Sequence, residues 1–196
     1  MVEQKVFKSI LWLFLLINNV YSIGLNYDIK IKGIEPMTDF KDPFCDLKDV
    51  KMKKLNKTHY TIDGIYTILR EDIPSDDLLM SIHIALKKGN GYIESSLVQL
   101  HKRKYCDMWD NEQFLMPDVK RHIQCISNSK NSTELLCPPL VGTYKLANYV
   151  PQYKVPANMP EGRWRFIFEY YKNDELIGGY KAYADFKREI MADDIF

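Results

Sequence analysis

Two segments of this chain alternate apolar and polar residues with a period of two. In Leu78 to Leu86, Met80, Ile82, Ile84 and Leu86 fall on one side, and Ser81, His83 and Ala85 on the other. In Arg163 to Tyr171, Trp164, Phe166, Phe168 and Tyr170 share one face, opposite Arg163, Arg165 and Glu169. Such alternation predicts half-buried strands, because successive side chains of an extended chain point to opposite faces. Lys87-Lys88-Gly89-Asn90-Gly91 predicts a hairpin turn, since Asn-Gly accepts the backbone angles that tight hairpins need. Tyr92 to Leu100 then returns as the partner strand. His59 to Leu69 is rich in β-branched and aromatic residues, and Gly142 to Leu146 and Lys30 to Ile34 are short alternating stretches. After a turn at Asn173-Asp174-Glu175, Leu176 to Phe186 forms a closing strand. Gly178-Gly179 interrupts it and predicts a bulge or a point of close approach.

The pattern changes between residues 106 and 137. Trp109 to Met116 reads as a helix capped by Asp107 or Asp110, Pro117 interrupts it, and Val119 to Ile126 resumes it. A short helical excursion is therefore expected around 107–126. Asn128 to Glu134 is polar and loop-like, and Cys137-Pro138-Pro139 stops regular structure. A loop with Pro151, Pro156 and Pro160 precedes the aromatic strand. There is no internal repeat. Short strands separated by turn signals predict an all-β sandwich or barrel.

The N-terminus follows another logic. Lys5 and Lys8 flank an unbroken apolar run, Ile10 to Ile17, which ends before Val20-Tyr21-Ser22. A basic start, a short apolar run and a small-residue end read as a secretory signal peptide over residues 1–22. The run is well short of the roughly 20 residues of a spanning helix. Residues 23–196 are then a single domain, expected outside the cell. Removing the leader with Lys5, Lys8 and Glu3 leaves 25 basic and 25 acidic residues. That balance argues against nucleic acid as a partner, because phosphate binding needs a basic surplus.

Export changes the meaning of the four cysteines, Cys45, Cys106, Cys125 and Cys137. An even count in a secreted chain implies disulfides rather than thiol chemistry. Three pairings are open to four cysteines. Asn56-Lys57-Thr58 and Asn131-Ser132-Thr133 fit the N-glycosylation rule, so Asn56 and Asn131 are candidate glycan sites.

No catalytic signature appears. The four histidines, His59, His83, His101 and His122, form no zinc-hydrolase array, and no nucleophile elbow, phosphate loop or dinucleotide fingerprint is present. No enzyme activity, metal or cofactor is expected. The positive signal is the aromatic strand. Its stripe either fills an ordinary core or walls a cavity between splayed sheets. In the second case Trp164, Phe166 and Phe168 form the wall, with Ile82, Ile84 and Leu86 opposite or beside them. His101-Lys102-Arg103-Lys104 is the clearest basic cluster, either a solvated strand end or a contact for an anionic head group or acidic receptor surface.

The order of several blocks carries a resemblance. Cys45, Leu47 and Val50 are followed by Tyr105-Cys106-Asp107, then by Cys137-Pro138 with Gly142, Tyr144, Leu146 and Asn148, then by Pro160, Gly162 and Trp164-Arg165. This resembles insect secreted proteins related to the ML lipid-recognition domain, among them CheB chemosensory proteins, which look like remote relatives of the ganglioside-activator protein. The resemblance implies an immunoglobulin-like β-sandwich opened into a cup, which holds a lipid or other hydrophobic molecule between the sheets and presents it to a receptor or enzyme; a membrane receptor is the partner expected here. It also implies a Cys106–Cys137 bridge, which leaves Cys45 with Cys125. The resulting expectation is a secreted carrier of a hydrophobic small molecule, a lipid or hydrocarbon-like cue, with a cavity of several hundred Å³, the usual pocket scale. The alternative is an extracellular protein-interaction module or receptor accessory with a filled core and no ligand, making contact near Lys102 to Lys104 or through the Pro151–Pro160 loop.

Overall fold

The alternating segments become strands because each has one face to bury and a partner at the right register. The computed structural model describes residues 27–57, 60–111, 116–150 and 159–188. The signal segment, the Pro151 and Pro156 part of the loop, residues 112–115, and Thr58 and His59 lie outside the described residues. Among the described residues, ten strands form two antiparallel sheets. In chain order they are β1 (Tyr27–Pro36), β2 (Cys45–Asp46), β3 (Lys51–Lys54), β4 (Tyr60–Ile68), β5 (Leu78–Lys88) and β6 (Gly91–Lys104), then β7 (Ile123–Asn128), β8 (Gly142–Tyr149), β9 (Gly162–Lys172) and β10 (Glu175–Arg188). Two short helices, α1 (Tyr105–Asn111) and α2 (Met116–His122), lie between β6 and β7. The fold is an all-β sandwich.

The first sheet has the order β1-β10-β9-β5-β6. Its centre is the predicted pair of strands, with Ile82 opposite Phe168, Ile84 opposite Phe166 and Leu86 opposite Trp164. On the other side of β9, Phe168 faces Tyr180, Phe166 faces Ala182 and Trp164 faces Ala184. The aromatic row is thus flanked by branched aliphatics on β5 and by two alanines on β10. The register shifts between Leu176 and Gly178, so the glycines do mark a bulge. Gly179 also permits close approach, since a Cβ there would collide with the Phe168 carbonyl.

The second sheet has the order β2-β4-β8-β7, and β3 also pairs with β4. Gly64 sits at a register shift in β4 with φ of 151°, a conformation that side chains disfavour, and a Cβ there would collide with the Asp49 carbonyl. The helical excursion is shorter than expected. Residues 123–126 belong to β7, because Ile123 pairs with Leu146 and Cys125 with Tyr144 along β8.

The two sheets meet over three contiguous clusters. At the Gly162 end, Trp164, Ile84, Tyr149, Met159 and Phe186 are buried together. Phe44, Ile68, Leu78, Tyr144 and Ile177 form a second group, and Met80, Ile82, Met108, Trp109, Met116 and Phe168 a third beneath the helices. The helices are tied down by the Cys106–Cys137 disulfide, with Cα atoms 5.4 Å apart. Closing a span of 31 residues stabilises the fold by about 3–4 kcal/mol in the chain-entropy model.

Candidate functional site

The space between the sheets is not filled. Small side chains at Ala182 and Ala184 stand next to Phe166 and Trp164, and a cavity of about 170 Å³ opens beside them. Both sheets and both helices contribute: Ile31 and Ile34 from β1, Ile62 and Tyr66 from β4, Phe166 and Phe168 from β9, and Trp109, Met116 and Val119 from the helices. No Lys, Arg, His, Asp or Glu lines it among the described residues. Leu136, beside Cys137, both lines the cavity and is 37% exposed. The volume is well below the several hundred Å³ expected. It is close to the 150 Å³ or so of an engineered apolar cavity that takes up benzene.

The candidate wall residues divide. Phe166 and Phe168 line the cavity, and their strand neighbour Tyr170 joins them. Trp164 does not. It is 1% exposed, packed at the closed Gly162 end, and its indole Nε1 donates to the Pro160 carbonyl at 2.9 Å. Ile82, Ile84 and Leu86 do not line the cavity either. They stand on the β5 side of β9, whereas the alanines that leave room stand on the β10 side. Ile82 is covered by Met108, Trp109 and Met116, and Ile84 and Leu86 pack with Trp164. From β5, Met80 reaches the cavity instead.

Sequence reasoning missed a cluster of phenols. Tyr66, Tyr105, Tyr144, Tyr170 and Tyr180 all line the cavity. Tyr66 stacks on Tyr144 at 5.5 Å, Tyr105 meets Tyr170 edge-on at 5.9 Å, and Tyr180 stacks on Phe168 at 4.5 Å. The Tyr144 hydroxyl donates to the Leu140 carbonyl at 2.8 Å. Burial raises the pKa values of Tyr66, Tyr105 and Tyr170 well above the ordinary phenol range, and Cys45 and neighbouring tyrosines raise them further. These groups stay protonated at any physiological pH. One cue was present: tyrosine supplies most of the aromatics. Which of them turn inward depends on how the two sheets and α1 face one another, and no single strand's period reveals that.

Of the cysteines, Cys106 and Cys137 are bridged, and Cys45 and Cys125 are free thiols. The expected Cys45–Cys125 bridge is absent for a geometric reason. Cys45 is on β2 and Cys125 on β7, at opposite edges of the second sheet with β4 and β8 between them. Three strand spacings amount to about 14 Å, twice the roughly 7 Å that a disulfide spans between Cα atoms. Cys45 lines the cavity, and burial, with help from the Asp46 carboxylate, pushes its thiol up to about 12. Cys125 Sγ accepts a hydrogen bond from Asn128 Nδ2 at 3.1 Å.

The remaining candidates lie outside the cavity. Asn56 and Asn131 are exposed, and Asn131 occupies a positive-φ turn position. Lys102 pairs with Asp174 at 2.6 Å and Lys104 with Asp76 at 2.7 Å, so two of the four residues of the basic cluster are engaged by the protein's own carboxylates. His83 approaches Glu169 at 3.3 Å on the outer face of the first sheet, where the Tyr171 hydroxyl donates to the same carboxylate at 2.8 Å. Among the described residues no group of His, Cys, Asp and Glu is placed to hold a metal ion, and no helix is long and apolar enough to cross a membrane. No family model matches this chain, and no curated protein matches it.

Proposed function

We propose that this protein is a secreted, non-enzymatic carrier of a compact hydrophobic molecule, held between the two sheets and offered to a receptor at the cell surface. The observation that carries the reading is the cavity itself, about 170 Å³, walled by side chains from both sheets and both helices with no charged group among them. Apolar cavities of this size take up apolar guests because the guest leaves water and restores missing contacts. The signal-like N-terminus, the exposed sequon asparagines and the resemblance to ML-related proteins support the same reading. The volume favours a ring-sized or short-chain guest over a whole acyl chain.

The test is native mass spectrometry of the secreted, deglycosylated protein, before and after organic extraction and after exposure to a mixed panel of lipids, hydrocarbons and small aromatics. A reproducible added mass that leaves with solvent is expected. A clean apo mass with no uptake from any of the panel overturns the carrier reading. It shifts the assignment to a protein-interaction module, for which exposed Ile93 and Leu97 on β6, an edge strand of the first sheet, are the natural contacts.

A further inference from the structure

Three phenol hydroxyls in the cavity wall make no hydrogen bond to any described residue. They belong to Tyr66, Tyr105 and Tyr170, and their oxygens keep accessible surface, since among the described residues the fully enclosed unpaired side-chain atoms are Thr61 Oγ1 and Arg165 Nε; Tyr144 and Tyr27 each donate to a backbone carbonyl, at 2.8 and 2.7 Å. Tyr66, Tyr105 and Tyr170 are half-buried and line the cavity. They come from three elements, β4, α1 and β9, yet they gather in one place. Tyr105 and Tyr170 are in edge contact, and Tyr66 lies within electrostatic reach of both.

A donor that opens onto an apolar space with no protein partner is left for water or a guest to satisfy. Every one of these groups can donate, and none can lose its proton under physiological conditions. What fits is an acceptor atom brought in by the guest. The described residues of the lining include no cationic side chain, which sets the other limit, because an unpaired carboxylate moved among them keeps no counter-charge.

We propose that the cavity selects compact, uncharged molecules that carry one hydrogen-bond-accepting oxygen, such as a ketone, aldehyde or ester, and that Tyr66, Tyr105 and Tyr170 are the donors that receive it. This rests on the carrier reading and narrows it: a bare hydrocarbon leaves the donors unsatisfied, and a fatty acid anion brings a charge that nothing in the wall matches.

The test uses three planar molecules of matched shape, α-methylstyrene, acetophenone and benzoate, which present a CH₂, a carbonyl oxygen and a carboxylate at the same place. Their affinities for the mature protein and for Tyr66→Phe, Tyr105→Phe and Tyr170→Phe are measured by calorimetry near neutral pH. At least one of these substitutions is expected to weaken acetophenone about 2- to 12-fold, the range of a net hydrogen bond, while leaving α-methylstyrene within about twofold. Benzoate is expected to bind more weakly than acetophenone. Thermal melts give a readout independent of any guest. The three variants should melt at or above the parent, since each removes only an unpaired hydroxyl, whereas Tyr144→Phe, which loses its bond to Leu140, should melt below it. Acetophenone affinity unchanged in all three variants overturns the donor assignment and leaves the carrier reading standing. So does benzoate binding more tightly than acetophenone, or α-methylstyrene binding while acetophenone does not. If none of the three molecules binds, the carrier reading falls, and this one with it.

Discussion

Trp164 and Phe166 are two residues apart on the same face of the same strand, yet the structure predicts different costs for truncating them. Trp164 is 1% exposed and enclosed by Ile84, Met159, Tyr149 and Phe186. Replacing it with alanine opens a new void in a packed region and deletes the indole bond to Pro160. Large aromatic truncations of this kind cost about 3–5 kcal/mol, and Trp164→Ala should fall near the top, at about 4–5. Phe166 lines the cavity, so part of its ring already lacks neighbours. Removing it forfeits fewer contacts, and Phe166→Ala should cost about 2–3 kcal/mol. For a domain of this length the gap of about 2 kcal/mol corresponds to about 4–8 °C in Tm.

The assay is paired thermal and urea unfolding of the two variants and the parent, with the urea slope checked for constancy so that midpoints report stability. Trp164→Ala should unfold first. Equal losses, or a larger loss for Phe166→Ala, would mean that Phe166 is packed on all sides and that the cavity does not lie against it. The same experiment addresses the ligand. A guest present in excess of its dissociation constant should raise the midpoint of the parent and of Trp164→Ala, and do less for Phe166→Ala, because only the folded cavity binds it.

Other expectations follow from single sites. Alkylation of the folded protein at about pH 8 should leave Cys45 unmodified, because burial pushes its thiol up to about 12 and the thiolate is the reactive form; peptide mapping without reduction should find one bridge, and a Cys45–Cys125 bridge would contradict the sheet order. Asp185 is held below the usual carboxylate range, first by the Arg163 guanidinium at 2.7 Å and also by Lys32. That contribution is fully present above the unfolded value of about 3.9 and is lost as pH falls through the depressed folded value. Asp185→Asn should therefore be less stable than the parent at neutral pH, by about 0.5 kcal/mol for a solvent-screened pair, with the gap closing in acid; urea midpoints that keep the gap at low pH would refute this. Ala182→Leu should fill the cavity, leave Tm unchanged or higher, and abolish guest uptake in the mass spectrum; uptake at the parent level would place the guest elsewhere.

How much of this was legible in the chain depends on which physical signal each part rests on. The β5–β6 hairpin and β9 were readable because alternation, turn chemistry and burial agree there. β7 was misread as helix because Val119, Ile123 and Ile126 recur at helical spacing; Cys125 and Ile123 pair along β8 only when the second sheet exists. β2 and β3 are two and four residues long, and β3 is mostly lysine, so neither carries a period. A small part of the cavity wall, Phe166, Phe168 and Tyr170, was visible as an aromatic stripe. The strand period says which residues share a face, and Trp164 and Phe166 do. It does not say where along that face the opposing layer is close. A cue for that existed in Ala182 and Ala184, small residues at the same spacing as the aromatics they oppose. The Cys45–Cys125 pairing failed because a pairing depends on strand order, which spacing along the chain does not encode.

The cavity also bears on why a binding role is preferred to a filled interaction module. At about 24 cal/mol per Å³ of void, a space of about 170 Å³ forgoes up to about 4 kcal/mol of packing. Typical domains have about 5–15 kcal/mol of net stability in all, so the amount is not small. Three phenols in the same wall also make no hydrogen bond to a described residue. Larger aliphatics at 182 and 184 are a local remedy for the void, and phenylalanine at 66, 105 and 170 for the hydroxyls. Neither change touches the outer faces, where a protein partner would dock. A module that works through its surface gains nothing from leaving both defects in place. A carrier does, because the guest restores the missing contacts and accepts the idle hydrogen bonds, and the stability forgone in the empty protein becomes part of the affinity for the right guest.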